Sequence, residues 1–303
     1  MKTMKNVFEK GFLGFAVIFL AFLSSCTDTN QINFTANDSN NVENEAVTES
    51  YFEDVDDMST LVVSADGSAA TGARGSASGR DCVKPNDSRF TCAAITVTFA
   101  VDNTPEVPHG YIKIDFGTTG CTDARGNVRK GIINIEFNGK RFMPNSQLIT
   151  TLQGYSINGI LVEGVRTVTN TTASLITNPK FTISVVGGKA TWPDGTVATR
   201  EVNRSREWII DINNPLNDQW IITGTAAGSN RDGKTFQMEI TKPLVYKRDC
   251  ATTHKVFMAV EGTKVLNVDG KAIIIDYGNG TCDKLITITI NGLSKEIDVK
   301  GNM

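Results

Sequence analysis

The sequence predicts a mainly β protein: a large antiparallel sheet, arranged as a sandwich, a barrel or a curved meander. From about residue 90, segments such as ITVTFAV, YIKIDF and LITITI alternate apolar with polar residues or are rich in β-branched side chains. No stretch long enough for a crossover helix lies between them, so neighbouring strands should be antiparallel. About 220 residues in roughly 12–14 strands can bury a sizeable core, as one body or two smaller modules.

Turn dipeptides separate these segments. Pairs of Asn, Asp or Gly followed by Gly accept the positive φ angles that tight hairpin turns require. Each pair therefore predicts the end of one strand and the start of the next. The pairs are Asn138-Gly139, Asn158-Gly159, Gly187-Gly188, Asp194-Gly195, Asp232-Gly233, Asp269-Gly270 and Asn291-Gly292.

An internal repeat spans residues 92–139 and 250–292. It contains the related stretches IDFGTTGC (114–121) and IDYGNGTC (275–282), with one Cys before the first strand and one after the second. Residues equidistant from a hairpin turn face each other, and the midpoints of the Cys pairs fall within DNTPEVPHG and EGTKVLNVDG. The repeat thus predicts a duplicated disulfide hairpin, closed by Cys92–Cys121 and Cys250–Cys282. Such bridges contribute about 3–4 kcal/mol in the chain-entropy model.

Two points about the repeat stay open. Cys82 is the expected spare thiol, but it could instead compete with Cys121 for Cys92. The stretch from Asp276 to Asp283 also contains acids and glycines, as calcium loops do. Its two acids are too few for a hard cation, and no helix follows that would make a phosphate cradle, so no metal or cofactor is expected.

The amino terminus carries an export signal. Three Lys residues precede an apolar run at 11–23, which is too short to span a membrane well. The segment ends in LSSC, residues 23–26, and resembles the lipobox of bacterial lipoproteins. That resemblance implies removal of residues 1–25, lipidation of Cys26 and attachment to the membrane through the N-terminal lipid. The alternative is an ordinary secretory signal with a chance Cys.

Three segments connect the anchor to the body at 82–303. Residues 26–42 are polar and Asn-rich and predict a flexible tether. Residues 43–63 predict an amphipathic helix, with acids on the face opposite its apolar stripe. Residues 64–81 are rich in Gly, Ala and Ser and predict a linker. The stripe should dock on the body, although it could bind a partner instead; it consists of Val47, Tyr51, Phe52, Val55, Met58 and Val62.

Charge and motif content narrow the function. Residues 27–81 hold 11 acids and 2 bases, whereas the body holds 25 bases and 21 acids. A body with a net charge of +4 is too weakly basic to predict nucleic-acid binding. The chain has only two His, and the GxSxG and HExxH motifs are absent. These features argue against an enzyme, although the two carboxylates of a glycan hydrolase could still be present.

One strand offers a candidate ligand face. After the Asp194-Gly195 turn, alternate side chains of VATREVNRSREW share one face, and three of them are Arg. Guanidinium groups beside an aromatic ring could bind an anionic glycan or a phosphate-bearing headgroup. Pairing of these arginines with acids on neighbouring strands is the alternative. The candidate residues are Trp192, Arg200, Arg204, Arg206 and Trp208.

The whole pattern resembles surface lipoproteins of Gram-negative bacteria, a group without an assigned activity. The resemblance implies an outer-membrane lipoprotein, on either the periplasmic or the cell-surface face. We expect a non-catalytic binding or structural module. A hydrolase acting on glycans and a lipid carrier with a curved sheet are the alternatives.

Overall fold

The computed structural model describes residues 36–65, 80–81, 84–174 and 177–299. Within these ranges the chain forms fifteen strands and two α-helices, α1 (Ala36–Ala65) and α2 (Arg248–Thr252). The mainly β class is therefore confirmed. The strands are β1 (Arg80–Asp81), β2 (Ala94–Phe99), β3 (His109–Asp115), β4 (Cys121–Thr122), β5 (Val128–Asn138), β6 (Gln147–Ile157), β7 (Ile160–Asn170), β8 (Lys180–Thr191), β9 (Val197–Ile209), β10 (Gln219–Ser229), β11 (Thr235–Lys247), β12 (Glu261–Val268), β13 (Lys271–Asn279), β14 (Leu285–Ile290) and β15 (Leu293–Asp298).

Apart from the short β4, consecutive strands are neighbours, which is the order of a meander. The order runs β1-β2-β3-β5 and then in sequence to β15, while the short β4 pairs with β5. The registers that the structure gives are all antiparallel, as expected for strands without crossover helices.

Among the residues that the structure describes, no helix has both the length and the apolar character needed to span a bilayer.

The chain divides into two compact units. The central unit is Tyr51–Asn203, and the terminal unit is Met1–Ser50 together with Arg204–Met303. The first copy of the repeat lies in the central unit and the second copy in the terminal unit. Each unit therefore contains one of the two predicted disulfides.

Helix α1 is longer than the predicted 43–63 and begins inside the segment predicted as a tether, which is a correction. In the terminal unit, the buried Asp38 carboxylate accepts a hydrogen bond from Lys271 Nζ at 2.6 Å. The buried Asn41 Oδ1 accepts one from Asn230 Nδ2 at 2.8 Å. The Asn-rich composition suggested that little could be buried, but these polar side chains are buried because they have polar partners.

In the central unit, α1 completes the hydrophobic core. Phe52, Val55, Met58 and Val62 are buried and belong to the same cluster as the inward side chains of β2, β3 and β5. The predicted apolar spacing thus marks the packed face of the helix. The acids differ from the prediction, because several are buried as well; they are Glu45, Asp54 and Asp56.

The predicted turns mostly form. Asn158-Gly159, Asp269-Gly270 and Asn291-Gly292 are two-residue turns in which both residues have positive φ, from 52° to 82°. These are the values of type I′ hairpins. The turn predicted at Gly187-Gly188 is wrong, since both residues lie inside β8. A Cβ atom at Gly188 would lie 2.3 Å from the carbonyl oxygen of Arg200, so close strand packing requires glycine there.

Both predicted disulfides are present. The Cα atoms of Cys92 and Cys121 are 5.6 Å apart, and those of Cys250 and Cys282 are 5.0 Å apart. The first bridge closes the β2–β3 hairpin, in which Ala94 pairs with Asp115. Cys26 and Cys82 lie outside the described residues, as do the signal peptide and most of the predicted linker.

The second bridge forms with a geometry that the midpoint rule did not predict. Leu266, at the expected turn, is buried within β12, and the hairpin turns at Asp269-Gly270 instead. Cys250 lies on helix α2 rather than beside a strand. The bridge therefore connects this helix to the segment that follows β13.

Candidate functional site

The repeated doublet is explained by local structure. Asp115 Oδ1 accepts a hydrogen bond from the Gly117 N–H at 2.9 Å, and Asp276 Oδ1 accepts one from the Gly278 N–H at 2.8 Å. Both glycines have positive φ, 71° and 89°. The spacing shared by the two copies thus produces the same Asp-to-Gly hydrogen bond, at the end of β3 and within the last residues of β13.

A second motif, which the sequence analysis overlooked, is the stretch GSNRDGKT at residues 228–235. It matches the phosphate-loop pattern GxxxxGK[ST], whose chemistry requires a helix after the loop. In the structure the stretch is the β10–β11 hairpin, and Thr235 begins a strand. Lys234 Nζ lies 3.0 Å from the Asp269 carboxylate. The match therefore marks a turn and not a nucleotide site.

The predicted arginine face is largely internal. In the central unit, Arg200 is 1% exposed and Trp192 is buried, with its ring centroid 6.3 Å from that of Tyr51. In the terminal unit, Arg204 forms an ion pair with Glu49. The alternative interpretation predicted an acidic partner on a neighbouring strand, but Glu49 lies on helix α1. Arg206 is half-buried on the same strand. A ligand at the surface does not reach Arg200 or Trp192, so the five residues do not form one exposed face.

Trp208 instead belongs to a platform at the start of β10. Its ring stacks on that of Trp220, with centroids 6.1 Å apart and an interplanar angle of 14°. The Arg248 guanidinium lies over both rings, 5.9 Å from the first centroid and 5.6 Å from the second. We refer to Trp208, Trp220 and Arg248 as the tryptophan–arginine platform. Cation–π contacts of this kind stabilise by about 0.5–2 kcal/mol each.

A buried carboxylate holds the platform together. Asp218 Oδ2 accepts hydrogen bonds from Trp208 Nε1 at 3.2 Å and lies 2.9 Å from Arg248 Nη2. Its other oxygen accepts the backbone N–H of Asp211 at 2.9 Å. Both oxygens of Asp218 are therefore used in positioning its neighbours.

The loop at 210–218 projects from this platform. Asp211 accepts hydrogen bonds from the backbone N–H groups of Asn213 and Asn214, at 2.9 and 3.0 Å, and from Asn217 Nδ2 at 2.8 Å. These bonds, that of Asn217 foremost, hold the pKa of Asp211 below its usual value. The loop is thus fixed by its own polar groups while it exposes apolar side chains. Ile212 is 88% exposed and Leu216 is 44% exposed.

Trp220 and Arg248 were not among the residues predicted from the sequence. A signal for the tryptophan pair was present in WIIDINNPLNDQW, residues 208–220, where the two rings are equidistant from Asn214. The same midpoint reasoning that paired the cysteines would have paired these rings. Arg248 had no comparable signal, because its place over the rings depends on the pairing of β10 with β11.

The strongest electrostatic feature of the central unit is a buried ion network. Asp54 on α1 bridges two arginines, with 3.0 Å from Oδ1 to Arg89 Nη1 and 3.0 Å from Oδ2 to Arg129 Nη2. Arg129 is 0% exposed and also pairs with Asp123. Because Asp54 uses one oxygen for each guanidinium, it is the central member of the network.

Arg89 has two further carboxylate partners. Its Nη2 lies 2.5 Å from Asp87 and 2.5 Å from Asp57. Burial raises the pKa of Asp57 to about 6, against the opposing effect of Arg89. Burial likewise raises the pKa of Tyr155, which lies beside this network. These carboxylates are committed to arginines in the interior, which is the arrangement of a structural network rather than of a hydrolytic site.

Comparison with known proteins found no matching family model, no matching curated protein and no matching solved structure.

Proposed function

We propose that the protein is an exported lipoprotein that binds a protein partner through the tryptophan–arginine platform and the 210–218 loop. The observation that carries this proposal is the fixed exposure of Ile212 next to a Trp-Trp-Arg cluster. Trp and Arg are enriched among the residues that dominate binding energy at protein interfaces. A loop that is already ordered also loses less conformational entropy on binding.

The same geometry gives less support to the other function classes. A glycan stacks on an open aromatic face, whereas Arg248 already lies over both rings. A hydrolase needs a carboxylic acid that can donate a proton. Asp211 has a lowered pKa and Asp218 is buried with its oxygens occupied, so neither suits that role.

A lipid carrier is also less favoured by the packing. A carrier keeps an apolar interior for acyl chains. In the central unit, side chains of α1 such as Phe52 and Met58 already belong to the hydrophobic core. The terminal unit places polar residues of the helix, including Glu45 and Asp38, against basic residues of the strands.

In the terminal unit, the start of α1 and the proposed interface lie at opposite ends of β10. The start of α1 contacts the turns at 230–234 and 269–271, at one end of β10 and β11. The platform and its loop lie at the other end of β10, which has 11 residues and is therefore about 36 Å long. Lipid attachment at Cys26 would hold the start of α1 near the membrane, so the exposed loop is expected to lie at the far end.

The anchor is tested by Cys26→Ser. We expect the variant to lose its lipid and to move from the detergent phase to the aqueous phase in detergent partitioning, because the acyl chains supply the membrane affinity. Cys82→Ser is the matched control and should partition like the wild type. If the Cys26 variant still enters the detergent phase, the lipoprotein assignment is wrong.

The interface is tested by a photo-cross-linking amino acid at position 212 in the full chain on cells. We expect a discrete adduct with another protein, and Leu216→Asp should reduce it at least about tenfold by placing a charge in the apolar contact. Position 101, a fully exposed Val in the central unit, is the matched control. Equal adducts from positions 101 and 212, or insensitivity to Leu216→Asp, would contradict the proposal.

A further inference from the structure

Next to the second disulfide lies a group of side chains with metal-binding atoms. One donor atom each from Asp249, His254 and Cys282 lies within 4.8 Å of the others. Cys250 Sγ is bonded to Cys282 Sγ, so this second sulfur lies at the same place and is the fourth candidate ligand atom. His254 and Asp249 are partly exposed, which leaves an approach from solvent.

The spacing suits a tetrahedral zinc ion. Zinc lies about 2.0–2.2 Å from His nitrogen and carboxylate oxygen and about 2.3 Å from thiolate sulfur, so neighbouring ligand atoms are about 3.3–3.8 Å apart. His254 Nε2 lies 3.7 Å from Asp249 Oδ2. In the oxidised chain the two sulfurs bond to each other. Only their reduced forms are thiolate ligands.

Hydrogen bonds fix the part of this group that lies on α2 and in the loop after it. The Val256 N–H donates to the Cys250 carbonyl at 2.8 Å, and the Thr253 N–H donates to the Asp249 carbonyl at 2.8 Å. The Thr253 hydroxyl donates to Asp249 Oδ1 at 2.6 Å, while the other carboxylate oxygen is the one nearest His254. Metal ligands are commonly oriented by outer hydrogen bonds of this kind. These bonds hold the segment from Asp249 to Val256 in place without the bridge.

The first copy of the repeat supplies an internal comparison. When the Cys-Ala pairs of the two copies are aligned, Asp249 corresponds to Thr91 and His254 to Thr96. The first bridge therefore has neither the carboxylate nor the imidazole at these positions. Both copies have a disulfide, but only the second places a carboxylate and an imidazole beside it.

We propose that reduction of Cys250–Cys282 creates a zinc site formed by Asp249, Cys250, His254 and Cys282. An external dithiol gives two electrons to the disulfide and becomes a disulfide itself, leaving two thiols on the protein. Zinc binding then releases one proton from each thiol, because thiolates are the ligands. The ion replaces the covalent bridge as the connection between α2 and the segment after β13.

The test uses the full chain reduced with a dithiol, with Co²⁺ as a spectroscopic probe and Zn²⁺ as its competitor. We expect one Co²⁺ per chain, with thiolate charge-transfer absorption that Zn²⁺ abolishes. His254→Ala and Asp249→Ala should weaken binding at least about tenfold. Thr253→Ala should weaken it about tenfold and Thr253→Ser should restore it, because Thr253 only positions the carboxylate.

Three controls decide the outcome. His109→Ala, in the central unit, and Cys92→Ser, in the first bridge, should leave the Co²⁺ spectrum and affinity unchanged. Circular dichroism of each oxidised variant reports whether it still folds. Binding of equal strength by the oxidised chain, or binding by the reduced chain that His254→Ala does not weaken, would overturn the proposal.

Discussion

Asp54→Asn is expected to lower the free energy of unfolding by about 3–5 kcal/mol, the cost of removing one partner from a buried ion pair. Each Asp54 oxygen accepts from a different arginine, Arg89 or Arg129. An amide of the same shape offers only one acceptor, so its NH₂ group would face the N–H groups of the other guanidinium. Stability is lost because two hydrogen-bond donors, the amide NH₂ and the guanidinium N–H groups, face each other in the protein interior. The volume of the side chain does not change.

Chemical denaturation at pH 7.5, followed by tryptophan fluorescence, measures this loss. Asp57→Asn is the matched control, because it makes the same substitution three residues later on the same helix and also next to Arg89. Arg89 keeps Asp54 and Asp87 in that variant, so no destabilisation is expected. A loss below about 1 kcal/mol for Asp54→Asn would show that solvent reaches the network.

Asp57 is expected to make the protein less stable as the pH rises from 4 to 7. Its folded-state pKa is about 6, above the ordinary value of 3.8. The folded state therefore holds the proton more tightly, and the stabilisation is complete below pH 4 and lost as the pH rises through 6. A difference of one pKa unit corresponds to about 1.4 kcal/mol. Ionisation of Asp57 in the folded protein therefore lowers the free energy of unfolding by about 3 kcal/mol.

Unfolding free energies of the wild type and Asp57→Asn across this range provide the test. The amide resembles the protonated acid and does not titrate. The two proteins should have similar stabilities near pH 4, and the variant should be more stable by about 3 kcal/mol at pH 7.5. Parallel pH profiles would show that Asp57 keeps an ordinary pKa in the folded protein.

The positions of the strands and of most turns could be predicted because their signals are local. Period-two alternation identifies strands, and Asn158-Gly159 or Asn291-Gly292 identifies a turn through the φ angles of two residues. The turn predicted at Gly187-Gly188 was wrong because a strand that passes close to a neighbouring backbone needs the same small residues as a turn. The pattern of residue types alone does not separate these two uses of glycine.

The disulfides could be predicted from the repeat, although the reasoning was only partly right. The midpoint rule holds approximately for the first bridge, in which Cys92 lies two residues before β2 and Cys121 begins β4, six residues after the end of β3. It fails for Cys250, since a short helix and a loop precede the first strand of that hairpin. The shared spacing of six residues from Asp115 to Cys121 and from Asp276 to Cys282 was the more reliable evidence.

Neither the ionic partners of α1 nor the residues of the platform could be predicted from the sequence, and the reason is a different one. Asp54 and Arg129 are 75 residues apart, and their meeting depends on which strands adjoin the helix. Acids on a helix predict a solvated face unless the strands supply buried cations. Arg200 and Arg204 were expected on one exposed face, but burial and the ion pair with Glu49 remove them from it.

The distances along the chain between α1 and its partners have a consequence for folding kinetics. Asp54 meets Arg89 after 35 residues and Arg129 after 75, whereas Asp38 meets Lys271 only after 233. Contacts between distant parts of a chain form slowly, because the intervening loop must close first. A chain that emerges amino terminus first presents this helix long before its last partner exists. Its many carboxylates keep it hydrated during that wait, so the acidity that the folded state neutralises also protects the unfinished chain from aggregation.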